Sequence, residues 1–277
     1  MPHRLKLFVD DGGVMSNNAR RGPQFARLVA KYMLPRLGGS PEAWVTANAE
    51  VAARLFERQF AQFRANPYGS WHVVLGDYEV DWLRGMCALV GVAAPHDRAS
   101  VRRLARECHL YVTRRVRSAI PGSVAAIRSL HRGGFTLLTA SGEASWELDG
   151  YLSGMRVRGC FDGHLYGPDQ VDAAKASPLY YERIFAHCAV KPADALVVDD
   201  SEQALNWAAE TGANTVLCKP SAPVNPRHCH IATLASLPGL LTHTRTDAIT
   251  TAHDAWPNAS PEHEQELSAI EATADPA

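Results

Sequence analysis

Leu5-Lys6-Leu7-Phe8-Val9-Asp10-Asp11-Gly12-Gly13-Val14-Met15 is a short, nearly all-apolar run that stops at two acids and two glycines. A run of that kind suits a strand buried on both faces, as in a parallel sheet. Three later runs share the pattern. Residues 135–139 follow Gly133-Gly134 and end at Thr139 in a small polar cluster. Residues 195–198 end at Asp199-Asp200, and residues 214–218 follow a helix stopped at Gly212. Helical patterns separate them at 122–131, 178–189 and 202–211, the last with Ser201 as N-cap. Strand alternating with helix predicts an α/β protein with a doubly wound parallel sheet.

Residues 18–118 break that rhythm, with almost no strand signal. An amphipathic helix is expected over 24–37, ending at Gly38-Gly39. Ser40-Pro41-Glu42 starts a long helix that Asn66-Pro67 terminates. Further helices are expected over 77–90 and 99–118. The economical account is a helical lid (18–118) inserted into an α/β core made of 1–17 and 119–241. Trp44, Trp71 and Trp82 read as packing anchors of that lid. His109 and His187 fall in helical stretches and read as core-edge residues.

The chain has 277 residues, a formal charge of −1, 46% apolar and 21% charged residues, proportions that suit a globular domain with a sizeable core. No stretch approaches the roughly 18 apolar residues of a membrane span, and residues 5–9 are too few for a signal-peptide core. Neither export nor a membrane partner is expected, and a cytoplasmic location follows. The near-zero charge gives no reason to expect a nucleic-acid partner. Six cysteines without C-x-x-C spacing read as free thiols in a reducing compartment. His228-Cys229-His230 reads as a polar loop, because neighbouring side chains converge poorly on one ion. Residues 242–277 carry seven acids and one base, and are expected to form a disordered acidic tail. The oligomeric state stays open.

In doubly wound sheets, ligands bind beyond the carboxyl ends of the strands. The residues expected there are Asp10, Thr139, Asp199 and Asp200, with Lys175 just ahead of the helix at Pro178. Carboxylates, a hydroxyl and an ammonium at one rim suit Mg²⁺ with a phosphate-like anion.

These segments also resemble, motif by motif, the haloacid dehalogenase-like (HAD) hydrolase superfamily, whose core is Rossmann-like. Phe8 to Met15 resembles the first motif, in the variant reading Asp, any residue, Gly, Gly, Val. Leu137-Leu138-Thr139-Ala140-Ser141 resembles the second, Lys175-Ala176-Ser177-Pro178 the third, and Val197-Val198-Asp199-Asp200-Ser201 the fourth. The position of the long insertion matches the helical-cap branch of that superfamily. The resemblance implies that Asp10 is the nucleophile, that Lys175 balances charge and that Thr139 donates to a phosphoryl oxygen. It implies Mg²⁺ held by Asp10, the Gly12 carbonyl and Asp200, with Asp199 as a supporting or alternative ligand. Asp11, Ser141, Arg20 and Arg21 are expected to meet substrate. The implied activity is a Mg²⁺-dependent phosphatase acting on a small phosphorylated metabolite through an aspartyl-phosphate.

One position departs from that pattern. Phosphatases of the superfamily mostly carry a second Asp two residues after the nucleophile, which protonates the leaving group; here Gly12 stands there. Loss of a general acid costs about 10²–10⁴ in rate. Two alternatives therefore stay open: a 2-haloacid dehalogenase-type hydrolase, whose family needs neither that acid nor a metal, and a binding or regulatory protein with weakened turnover.

Overall fold

The computed structural model describes residues 5–161, 163–221 and 227–247. Within them, β1 (Lys6–Val9), β2 (Thr136–Thr139), β3 (Ala195–Asp199), β4 (Asn214–Cys218) and β5 (Cys229–Ile231) form one sheet. All pairs are parallel, in the order β2-β1-β3-β4-β5. Side chains alternate across it. Leu7, Val9, Leu137, Leu196 and Val198 pack into one apolar layer, and Phe8, Leu138, Val197 and Leu217 into the other. Both layers are buried, which is why each strand reads as an unbroken apolar run.

Helices α1 (Asn18–Leu37), α2 (Pro41–Ala65), α3 (Trp71–Leu75), α4 (Tyr78–Val90) and α5 (Arg98–Thr113) lie between β1 and β2, and α6 (Ser123–Arg132) leads into β2. Between β2 and β3 run α7 (Ser145–Gly154), α8 (Pro168–Val171) and α9 (Pro178–His187). Helix α10 (Glu202–Glu210) joins β3 to β4, and α11 (Leu237–Asp247) follows β5. The first insertion builds its own core around Trp44, Val51, Trp82, Leu83 and Met86, all fully buried. The chain leaves and re-enters the sheet domain side by side: Asn17 N–H donates to the Ser118 carbonyl (2.7 Å) and Ile120 N–H to that of Met15 (2.9 Å).

Four expectations need correction. Helix α1 begins at Asn18, capped by the Asn17 side chain accepting from Arg20 N–H (3.0 Å); Pro23 falls in its second turn and removes one i→i−4 bond without ending the helix. His228-Cys229-His230 is no polar loop: Cys229 and His230 begin edge strand β5. His228 is buried there, bonded to Thr215 Oγ1 (2.8 Å) and Asn206 Oδ1 (3.1 Å). The expected tail is helical in its first residues, since α11 continues to Asp247; positions 248–277 lie outside the described residues. Trp44 and Trp82 are buried anchors, whereas Trp71 opens onto a cleft. Among the described residues no helix is long and apolar enough to cross a membrane.

The cap meets the core along α5 and α7, and the fit is tight at Gly150. A Cβ there would lie 1.9 Å from Thr113 Oγ1. Gly150→Ala is expected to force these helices apart and to lower unfolding free energy by about 1–3 kcal/mol, read from urea denaturation.

Candidate active site

β1 and β3 are neighbours, and the order of strands reverses between them, so a crevice opens at their carboxyl ends. Asp10 leaves β1 there, its backbone N–H held by the Val198 carbonyl (2.9 Å). Lys175 reaches the same point. Its Nζ donates to Asp10 Oδ1 (2.9 Å) and the Ala140 carbonyl (2.9 Å), and pairs with Asp199 Oδ2 (2.5 Å). The other Asp199 oxygen accepts from Ser201 N–H (2.9 Å), beside the N-cap of α10.

Electrostatics follow from burial. Burial pushes the Asp10 carboxyl up to about 7, with Asp199 and Asp11 adding to the rise and the Lys175 ammonium opposing it. Burial alone would favour a neutral Lys175, but Asp10 and Asp199 override it and hold the ammonium charged. Burial, then the Asp199 charge, also raises Asp200.

Asp10, Asp199 and Asp200 each present a carboxylate oxygen, all within 4.8 Å of one another. Three hard oxygen donors against one ammonium fit a small divalent cation such as Mg²⁺. Gly13 makes room for this group. Its φ is +85°, and a Cβ on it would fall 1.9 Å from Asp200 Oδ2. The second glycine of the motif is thus required twice, by backbone conformation and by the carboxylate packed against it.

The other expected residues divide. Gly12 and Ser141 line the cleft with Asp10, Lys175, Asp199 and Asp200. Thr139 lies beneath the rim, fully buried, its hydroxyl donating to the Tyr166 carbonyl (3.1 Å). Asp11 points away from the cleft into the protein. It is fully buried, accepting from Ser16 Oγ (2.9 Å) and paired with Arg21 Nη2. Arg21 in turn donates to Glu143 Oε1 (2.9 Å) and lies over the Tyr151 ring (4.3 Å). Arg21 therefore clamps the cap to the core, and neither it nor the exposed Arg20 lines the cleft.

Residues not singled out in the sequence complete the site. A Cβ on Gly12 would meet the Asn18 carboxamide, Nδ2 at 2.9 Å and Oδ1 at 3.0 Å. An amide from the first turn of α1 therefore crowds the place of a side chain at position 12. Glu143, from the loop after β2, also lines the cleft; burial and then Glu147 push it up to about 8 against the pull of Arg21. Neither has a signal in a single sequence, because the contacts join the cap to distant core loops.

This constellation on this fold agrees with the comparisons. The model of the haloacid dehalogenase-like hydrolase family matches residues 22–205, more than half of the chain. The chain belongs to that family of hydrolases. The match begins downstream of Asp10 and does not include the first motif. No curated protein matches the chain. Among solved structures, a defluorinating L-2-haloacid dehalogenase is 16% identical, with a TM-score of 0.58 over 86% of this chain and 95% of its own. The L-2-haloacid dehalogenase of Xanthobacter autotrophicus is 15% identical, with a TM-score of 0.55 over 86% and 98%. The HAD hydrolase YfnB of Bacillus subtilis, solved with magnesium, is 15% identical, with a TM-score of 0.58 over 86% and 98%. At such identities the likeness is one of fold.

Gly13→Ala is expected to displace Asp200 and weaken Mg²⁺ binding by at least about tenfold in calorimetry, the loss of one charged ligand. Gly142→Ala, where an added Cβ meets nothing within 4 Å, leaves it unchanged.

Proposed function

We propose that the protein is a Mg²⁺-dependent hydrolase of small organic phosphates that works through covalent attack by Asp10. The observation that carries this reading is the convergence of Asp10, Asp199 and Asp200 beside the Lys175 ammonium. Left to themselves, three carboxylates would repel an anionic substrate. Bound Mg²⁺ would supply the positive charge that draws the phosphate in and stabilises its oxygens in the transition state.

The chain's own groups account for the steps. An Asp10 carboxylate oxygen bonds to phosphorus while the bond to the leaving oxygen breaks, and the electron pair departs with that oxygen. Lys175 keeps Asp10 Oδ1 oriented and its charge offset throughout. Water then attacks the aspartyl-phosphate, releasing phosphate and restoring Asp10. No carboxyl stands two residues after Asp10, so the leaving group receives no proton from that position, which favours alcohols acidic enough to leave as anions.

A second reading, displacement of halide from carbon, is favoured by the same missing acid and by the dehalogenases among the similar structures. Halide needs no protonation, and that reaction makes less use of the paired acids at 199 and 200. The comparisons lean toward this reading, and the carboxylate cluster toward the first.

The two separate in one experiment. Under the first, phosphate release from an activated aryl phosphate requires Mg²⁺ and is lost in Asp10→Asn. Halide release from 2-chloropropionate that persists in EDTA would replace it with the second. Unchanged activity in Asp10→Asn would overturn both.

The pH profile gives an independent check. Asp10 attacks only when ionised, and burial holds its carboxyl up to about 7. A cation beside the carboxylate favours its charged form, so the Mg²⁺-dependent rate rises with pH at values below about 7.

A further inference from the structure

The cleft above Asp10 encloses about 570 Å³, and its two sides differ in chemistry. The floor, on the core, is charged. The roof, on the cap, is aromatic. Phe56, Gln59, Phe60 and Phe63 stand at successive turns on one face of α2, Trp71 faces in from α3, and Trp207 closes the core side on α10. Phe56 and Phe60 remain 48% and 61% exposed although they are large and apolar. This helix enters the cap's core through Trp44, Val51 and Leu55, so its cleft face is not needed for that core. Exposed aromatic side chains grouped around one cavity mark a binding surface.

The roof is also held in place. Ser70 Oγ donates to Asp172 Oδ1 (2.7 Å), His72 N–H donates to the same oxygen (3.0 Å), and Ser177 Oγ donates to the Pro67 carbonyl (3.2 Å). The turn carrying Trp71 is thereby fastened to the core.

Resting on the phosphoryl reading above, we infer that the substrate is an aryl phosphate: an anionic head on the charged floor, and a planar aromatic body between Phe60 and Trp71. This fits the unprotonated departure argued for the leaving group, because a phenol-type oxygen leaves as a stable anion.

The test is calorimetric binding of non-hydrolysable phosphonates to the full chain with Mg²⁺. Phenylphosphonate is expected to bind at least about tenfold more tightly than methylphosphonate, from the buried ring area and aromatic contacts. Phe60→Ala and Trp71→Ala are each expected to reduce that preference below about threefold and to leave methylphosphonate affinity unchanged. Both side chains border open space, so the variants keep the fold, checked by circular dichroism. Equal binding of the two phosphonates by the unmodified protein overturns the aromatic assignment and leaves the phosphoryl reading standing. So does a preference that survives both substitutions. If neither phosphonate binds, but phenylacetate binds at least about tenfold more tightly than acetate and loses this in the variants, the phosphoryl reading fails and the aromatic roof stands. If no aryl compound binds in preference to its methyl counterpart, the inference is overturned.

Discussion

A buried ammonium between two carboxylates fixes the geometry of everything around it. Lys175 reaches Asp10 from β1 and Asp199 from β3, and a backbone carbonyl after β2 takes the remaining contact. Three strand ends are thereby gathered onto one nitrogen. Such a cluster is a poor source of net stability, since desolvation offsets much of the attraction. Its effect is specificity of arrangement. Removing the ammonium would leave two buried acids uncompensated, a loss of about 3–5 kcal/mol by comparison with other broken buried pairs.

A second ionic chain ties the cap to that crevice. Asp11, immediately after Asp10, faces inward to Arg21 on α1, and Arg21 continues to Glu143 beyond β2. Successive residues leaving a strand point opposite ways, so one acid faces the cleft and its neighbour serves the joint. Asn18, three positions before Arg21, consequently crowds Gly12.

Much of this was legible in the sequence, and the limits are physical. The four apolar strands were readable because double burial removes any polar alternation, and Ser40-Pro41 and Asn66-Pro67 bracket α2 with local chemistry. The strand-end residues could be marked because a doubly wound sheet puts ligands there. Strand β5 was not readable: it has three residues, and Cys229 and His230 mask its single buried isoleucine. Helix α7 was missed because it is pressed between cap and core, so its apolar residues form no single stripe. The role of Arg21 was misjudged for a different reason. A double arginine at a helix start looks the same whether it meets solvent, substrate or a buried acid far along the fold. Trp71 and the phenylalanines of α2 share periodicity with ordinary packing residues, and only the cavity distinguishes them.

The position of β1 has a consequence for how the chain is made. It is a central strand, with Lys6 paired to Thr136 on one side and Ala195 on the other. Both partners are synthesised long after it, and contacts across such separations are slow to form. The cap helices, by contrast, contact neighbours close in sequence and can assemble while synthesis continues. The first of the five described strands thus waits longest for its place, and Asp10 acquires its charged surroundings only after Lys175 and Asp199 have been synthesised.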